Sequence, residues 1–208
     1  MANNQTNAKK KTDILMLTVI GMLVAVTLIL GFTPIGYIKL GFIEITVLQI
    51  PVIIAAIMYG KKGGTILGAV FGLTSFIQCF GMSAFGAAML AANPFMCAVT
   101  CIVPRTLMGF LTGLLFEVFS RFDKKQMWSL LATSLCAAVL NTVLFMTTFL
   151  LGFWNTEFVQ SMADGKNVMA FCVAFVGING VVEAIVCALL GTAIGKAMLA
   201  AKNRLGRK

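Results

Sequence analysis

The sequence predicts an all-α integral membrane protein, a bundle of six transmembrane helices with both termini in the cytoplasm. Composition is the first observation behind this prediction. Hydrophobic residues make up 60% of the 208 residues and charged residues 11%, whereas soluble globular domains have about 45–50% and about 25%. So few charged side chains cannot cover the surface of a water-soluble fold of this size, and the apolar remainder needs lipid around it.

Six apolar stretches are the second observation, because a helix needs about 20 such residues to cross a bilayer. They are residues 14–32, 45–60, 64–80, 93–119, 127–152 and 168–199. Little chain remains between them, so residues 1–208 are predicted to form one membrane domain. The first stretch follows three lysines, but it is longer than the apolar core of a signal peptide, about 7–15 residues. We therefore interpret it as a retained helix.

The basic residues indicate how the helices are oriented. With the N-terminus in the cytoplasm, only Lys39 and Lys166 fall outside, Arg105 lies within a span, and the other 13 of the 16 Lys and Arg residues are cytoplasmic. These are Lys9, Lys10, Lys11, Lys61, Lys62, Arg121, Lys124, Lys125, Lys196, Lys202, Arg204, Arg207 and Lys208. Such asymmetry is the positive-inside rule. Topology thus explains the net charge of +9, and no nucleic-acid partner is predicted.

The sequence lacks the side chains on which most catalytic sites depend. It contains no histidine, which removes imidazole as a base or metal ligand. It has no P-loop, Gly-rich dinucleotide turn or carboxylate pair, and Glu183 is the only acid at mid-membrane depth. Cys97 and Cys101 share a helix face, but without His or carboxylate neighbours they predict no zinc site. We predict no enzyme, cofactor or metal site, and we expect a partner to supply the energy for uphill transport.

The loops on the outer side differ from the tight, basic inner turns. Residues 33–44 alternate roughly between apolar and polar after a Pro-Gly turn, which is typical either of a short hairpin or of an ordinary connector. Residues 81–92 are small and nearly uncharged, so they are predicted to pack as a lid. Residues 153–167 contain Trp154, a residue type common at membrane interfaces. This arrangement predicts a lidded pocket that opens outward.

Polar residues at membrane depth are the candidates for that pocket, because an intramembrane charge costs about 2.5–3.5 kcal/mol and is usually functional. They are Arg105, Asn141, Asn179 and Glu183, with Gln49 and Gln78 as weaker candidates nearer the outer ends. Pro104 is predicted to free a carbonyl of the preceding helical turn. The guanidinium of Arg105 suits a carboxylate ligand; the alternative is that Arg105 pairs with Glu183.

Small residues recur at a spacing of four, which lets helix backbones approach closely. Gly64, Gly68 and Gly72 predict such packing inside the bundle, and Gly21 and Ala25 offer a small surface on the first helix. That surface is predicted either to pack internally or to dock a second membrane protein. A stand-alone secondary transporter is a further alternative, but the second half shows no helix break matching the one expected at Pro51 in the first half.

With these features in place, the chain resembles the substrate-binding S component of energy-coupling factor (ECF) vitamin transporters, and within them the pantothenate-type subgroup. Residues 33–75, TPIGYIKLGFIEITVLQIPVIIAAIMYGKKGGTILGAVFGLTS, are the most specific stretch. The Asn93-Pro94 pair and the Val103-Pro104-Arg105 run also match. Lys61 departs from the family, which commonly has proline there.

The resemblance implies a bundle in the bacterial plasma membrane that binds a vitamin from outside. Pantothenate is the first choice, with riboflavin, folate or thiamine-type vitamins as alternatives. It places the ligand carboxylate on Arg105 and the ligand's hydroxyl and amide groups on Asn141 and Asn179. It also implies two kinds of partner, a transmembrane coupling protein and two ABC ATPases. Gly21 and Ala25 stand where the family's docking face typically has Ala-x-x-x-Ala.

Overall fold

A computed structural model describes residues 2–33, 36–40, 43–123, 126–163, 165 and 167–205, without the side chains of residues 2–13, 37–45, 174–175, 178–179 and 202–205. Its elements, in chain order, are α1 (Ala2–Phe32), β1 (Tyr37–Leu40), β2 (Ile43–Thr46), α2 (Gln49–Gln78), α3 (Ala84–Ala92), α4 (Pro94–Phe119), α5 (Met127–Phe153), α6 (Glu157–Ala163) and α7 (Val168–Leu205). The protein is therefore mostly helical, with one short β-hairpin.

Five of the described helices, α1, α2, α4, α5 and α7, are long and apolar enough to cross a membrane. Large apolar side chains cover their outer surfaces: Leu17 is 74% exposed, Leu151 82% and Met169 78%. A surface of this kind is stable against lipid and not against water. The predicted spans 14–32, 93–119, 127–152 and 168–199 each correspond to one helix, whereas most of 45–60 and of 64–80 lies in α2.

A single residue, Gly60, reverses the direction of α2. Its φ of 62° and ψ of −149° lie outside the helical region, in a conformation that glycine adopts readily. A Cβ built on Gly63 would lie 2.5 Å from the carbonyl oxygen of Ala55, eight residues earlier, although eight residues of straight helix span about 12 Å. The two halves of α2 therefore pack side by side. Pro51 does not interrupt α2, because it lies in the first turn, where its missing N–H is not needed.

Two structures were predicted for residues 33–44, a hairpin and an ordinary connector, and the structure contains the hairpin. Strand β1 pairs antiparallel with β2, with Tyr37 opposite Thr46 and Leu40 opposite Ile43. The backbone N–H of Val47 donates to the carbonyl of Gly36 at 3.1 Å and closes the base of the hairpin. The second span was predicted to start at residue 45, and this was wrong. Strand pairing holds the chain extended to Thr46, and the helix begins at Gln49.

Two of the connections that were predicted to lie on the outer side contain short helices instead of irregular loops. Most of residues 81–92 form α3, whose first turn is capped by Ser83 accepting a hydrogen bond from the Gly86 N–H at 3.1 Å. Asn93 caps α4 in the same way by accepting from Met96 at 3.1 Å. Helix α6 lies within residues 153–167, and Trp154 packs edge-on against Phe171 at 6.0 Å between ring centroids. These connections are therefore packed elements.

The final helix is also interrupted. Gly177 has φ 32° and ψ −133°, so α7 consists of a shorter first part and a longer second part. No helix break was predicted in the second half of the chain, and this was wrong. The break could not be predicted because a glycine at a helix break and a glycine at a helix–helix contact look the same in a sequence. Helix α7 contains glycines of both kinds.

Contacts between helix ends show which ends lie together. The side chain of Gln78 donates a hydrogen bond to the carbonyl of Gly31, which joins the last turns of α1 and α2. At the opposite end of α2's second half, Lys61 Nζ lies 3.3 Å from Glu117 Oε2, near the end of α4. Two further contacts join opposite ends of neighbouring helices, Gly152 with Met96 and Gly195 with Leu130. The second half of α2 therefore runs parallel to α1 and antiparallel to α4, and α5 runs antiparallel to both α4 and α7.

The predicted glycine face of α2 packs backbone to backbone against α4, as expected. A Cβ on Gly64 would collide with the carbonyl of Gly109, and one on Gly72 would lie 2.7 Å from the Cα of Ile102. A Cβ on Gly68 would collide with the carbonyl of Arg105. There is no flexible side-chain end at these contacts that could move aside. The position of the central part of α4 thus depends on the small residues of α2.

We expect Gly64→Ala to destabilise the protein by about 1–3 kcal/mol, because the added methyl group forces the α2 and α4 backbones apart. Gly21→Ala is the matched control, since a Cβ on Gly21 meets nothing within 4 Å and alanine favours helix by up to about 1 kcal/mol. Thermal unfolding in detergent micelles measures both. Equal midpoints for Gly64→Ala and wild type would contradict the close contact.

Candidate ligand-binding site

A cavity of about 170 Å³ lies between the β-hairpin and helices α4, α5 and α7. It is lined by Thr46, Arg105, Asn141, Thr142, Phe145, Met146, Val176, Gly180 and Glu183. Three of the polar residues singled out from the sequence, Arg105, Asn141 and Glu183, are brought together here from three different helices. A concave, largely apolar site with a few converging polar groups is the usual form of a small-molecule site.

Arg105 is held by the helix irregularity that Pro104 creates. Proline has no N–H, so the carbonyl four residues earlier, that of Thr100, loses its helical partner. Arg105 Nη1 donates to this carbonyl at 3.0 Å and to the carbonyl of Cys101 at 3.2 Å. The predicted free carbonyl is therefore present, and the neighbouring guanidinium satisfies it. This bond also turns the arginine side chain back along its own helix and restricts its position.

Two aromatic rings also contact the guanidinium of Arg105. The Arg105 Cζ lies 5.3 Å from the ring centroid of Phe71 and 5.0 Å from that of Phe145, both within the range of cation–π attraction. Among the described residues, the Nε of Arg105 is buried and has no hydrogen-bond partner. An unsatisfied buried donor on a charged group is costly. A ligand acceptor in the cavity would remove that cost.

Glu183 is held by a different residue from the one considered in the sequence. Gln49 Nε2 donates to Glu183 Oε1 at 2.6 Å, and Gln49 itself is fully buried at the start of α2. The alternative that Arg105 pairs with Glu183 is not what the structure contains: both side chains are described and they form no ion pair within 4.0 Å. The guanidinium and the carboxylate therefore both remain open to the cavity.

The remaining candidate residues divide into three cases. Asn141 lines the cavity, and its Oδ1 is buried without a hydrogen-bond partner among the described residues. Gln78 does not line the cavity, because its side chain bonds the carbonyl of Gly31 and ties α2 to α1. The side chain of Asn179 lies outside the described residues.

Several cavity residues were not identified from the sequence. Thr46, Thr142 and Phe145 lie on its wall, and Phe71 stacks on Arg105 from α2. For Phe145 a signal did exist, since it stands four residues after Asn141 and so shares its helix face. For Thr46 and Phe71 there was none, because their proximity to the site results from the hairpin and from the α2–α4 packing.

Comparison with known proteins assigns the family. The family model "ECF transporter, substrate-specific component" matches residues 15–195. The chain belongs to this family. It is therefore a multi-pass membrane subunit of a transporter, from a family of transporter components and not of enzymes. Curated relatives include the pantothenate transporter PanT of Leuconostoc mesenteroides subsp. mesenteroides, which is 27% identical over 211 residues, covering 100% of each chain.

We expect Arg105→Ala and Pro104→Ala to be non-additive in stability. Arg105→Ala leaves the Thr100 carbonyl unsatisfied, which costs about 1–3 kcal/mol, whereas Pro104→Ala restores an N–H that can satisfy it. The penalty of Arg105→Ala should therefore be about 1 kcal/mol smaller in the Pro104→Ala background. Thermal unfolding of the four proteins in detergent measures this coupling. Additive effects would show that the arginine does not act through the Thr100 carbonyl.

Proposed function

We propose that this S component binds pantothenate from the outer side of the membrane and delivers it to an ATP-driven ECF transporter. One observation carries the proposal: the cavity contains a half-buried guanidinium, held by Thr100, Phe71 and Phe145, whose buried Nε has no hydrogen-bond acceptor among the described residues. Such a group is preorganised for an anion. The full-length similarity to the PanT relative supports the choice of ligand.

The cavity's polar groups suit the two ends of pantothenate. The Arg105 guanidinium can donate two parallel hydrogen bonds to the ligand carboxylate. Glu183, an acceptor when ionised, and the unpaired Oδ1 of Asn141 can accept from ligand hydroxyl or amide groups. The ligand thus needs an acidic end and a hydroxyl-bearing end.

We infer six membrane crossings with both termini in the cytoplasm. The reversal at Gly60 supports the number, because it divides α2 into two antiparallel segments. The grouping of helix ends supports the orientation. Lys61, Lys62 and Arg121 lie at the end shared by the Gly60 turn and the close of α4, whereas the hairpin, α3 and α6 follow the opposite ends of their helices. Basic turns belong on the cytoplasmic side.

The proposed docking face on α1 is open. Gly21 and Ala25 are both exposed, and a Cβ on Gly21 would meet nothing within 4 Å. Among the described residues, none occupies the space beside Gly21. A small, exposed surface on a transmembrane helix lets a second helix approach closely. We propose that the transmembrane coupling protein of the ECF complex docks here and links the S component to two ABC ATPases.

Purified protein should bind pantothenate without ATP, and Arg105→Ala should weaken that binding by about 2 kcal/mol or more, roughly 30-fold. Removing the guanidinium leaves the ligand carboxylate without its partner. Titration calorimetry in detergent measures the affinity. Arg121→Ala, which removes an exposed arginine of the α4–α5 turn, is the control and should bind normally.

A modified ligand separates the carboxylate contact from a general loss of structure. The alcohol analogue of pantothenate, which carries CH₂OH in place of the carboxylate, should bind wild-type protein weakly. In Arg105→Ala the acid and the alcohol should bind equally. If the variant still prefers the acid, the carboxylate is recognised by another residue, and the assignment of Arg105 is wrong.

Replacing Gly21 or Ala25 with leucine should leave pantothenate binding unchanged and abolish uptake by cells that express the complete transporter. The bulky side chain blocks the approach of the coupling protein without reaching the cavity. Ala193→Leu, at an exposed small residue of α7, is the matched control and should retain uptake. Normal uptake by both α1 variants would place the docking face elsewhere.

A further inference from the structure

Three buried cysteines converge at one end of α4. Cys97 and Cys101 lie one turn apart in α4, and Cys79 directly follows α2. The three Sγ atoms all lie within 4.8 Å of one another, and those of Cys79 and Cys101 are 3.7 Å apart. The three residues are only 0–4% exposed. The pair within α4 was visible in the sequence, but its third member is brought in by the fold.

The spacing of the sulfur atoms fits a single ion bound by all three. Sulfur–ion bonds of about 2.3 Å that are arranged as a pyramid bring three sulfur atoms to roughly 3.5 Å from one another. The shortest pair is close to this spacing, at 3.7 Å, and all three Sγ atoms lie within 4.8 Å of one another, so rotation about χ1 can bring them together. The backbone around the cluster therefore does not need to move.

The surroundings leave room for the thiols and exclude other kinds of ligand. A Cβ on Gly86 of α3 would lie 2.8 Å from Cys79 Sγ, so glycine at this position makes space for the sulfur. The cysteines belong to an apolar cluster that includes Met89, Met146 and Phe149. No histidine or carboxylate joins the cluster among the described residues. An ion bound here has to be thiophilic and needs only three ligands.

The charge of the three thiolates narrows the class of ion that can bind here. Three thiolates carry three negative charges, and a residual charge in an apolar cluster is costly. A trivalent ion cancels all three, whereas a monovalent one leaves two. A divalent ion such as Zn²⁺ leaves one and takes a fourth ligand, which the cluster does not offer among the described residues. Trivalent arsenic is thiophilic, takes three sulfur ligands in a pyramid and forms a neutral complex.

We propose that Cys79, Cys97 and Cys101 form a binding site for trivalent arsenic. Arsenous acid, As(OH)₃, reacts with the three thiols to give As(S–Cys)₃ and three molecules of water: three As–O and three S–H bonds break, and three As–S and three O–H bonds form. Nothing is oxidised or reduced. The bound ion covalently joins the end of α2 to the first turns of α4, across the segment that contains α3.

Incubation of the purified full-length protein with arsenite, followed by native mass spectrometry, tests the proposal. The expected product contains one arsenic atom and has lost three thiol protons, and X-ray absorption at the arsenic edge should show three sulfur neighbours. The triple variant Cys79→Ala, Cys97→Ala and Cys101→Ala should bind no arsenic. The matched control replaces the other three cysteines, Cys136→Ala, Cys172→Ala and Cys187→Ala, and should bind one.

Three results would overturn the assignment: no arsenic on the wild-type protein, two sulfur neighbours instead of three, or binding that survives the triple replacement in the cluster. A Cu(I) titration serves as a second arm, because tight Cu(I) binding without arsenic binding would refute the charge argument. Should the triple variant fail to fold, Cys97→Ala alone removes one ligand and should show at most two sulfur neighbours around any arsenic that it retains.

Discussion

The direct backbone contact between α2 and α4 is the constraint on which the rest of the structure depends. In a membrane the hydrophobic effect does not drive helices together, so close van der Waals packing has to do so. Gly64, Gly68 and Gly72 provide it, and the carbonyl of Arg105 lies directly against the Gly68 position. The glycine face therefore holds α4 against α2. It also determines where Arg105, the one arginine of α4, lies relative to Phe71.

The contacts of Arg105 show how a membrane protein can hold a charged side chain within the bilayer without pairing it with an opposite charge. Pro104 gives up a helical hydrogen bond and so leaves the Thr100 carbonyl free to bind the guanidinium. The rings of Phe71 and Phe145 then lie within cation–π distance of it. An ion pair with Glu183 would have satisfied both charges and closed the site. Instead Gln49 binds Glu183, and the cavity keeps a donor-rich end and an acceptor-rich end, the arrangement that an acidic, hydroxyl-bearing ligand needs.

Much of the fold could be predicted because lipid imposes simple rules. Helix length follows from bilayer thickness, and α4 and α5 begin and end within about a residue of the predicted spans. The hairpin was one of two readings of residues 33–44, and strand pairing is what distinguishes it from a connector. The break at Gly177 was not predicted, because other glycines in the same helix are needed for packing and do not interrupt it.

The sequence by itself determined the class of protein, the approximate spans and the polar residues worth attention, because hydropathy and the cost of an intramembrane charge act residue by residue. Only the tertiary structure decided what those polar residues do. In the folded protein, Gln78 bonds the Gly31 carbonyl of α1, and Gln49 bonds Glu183. The fold also places Cys79 beside Cys97 and Cys101 of α4. Each of these outcomes joins residues far apart in the chain, and such contacts depend on how the helices pack rather than on any local pattern.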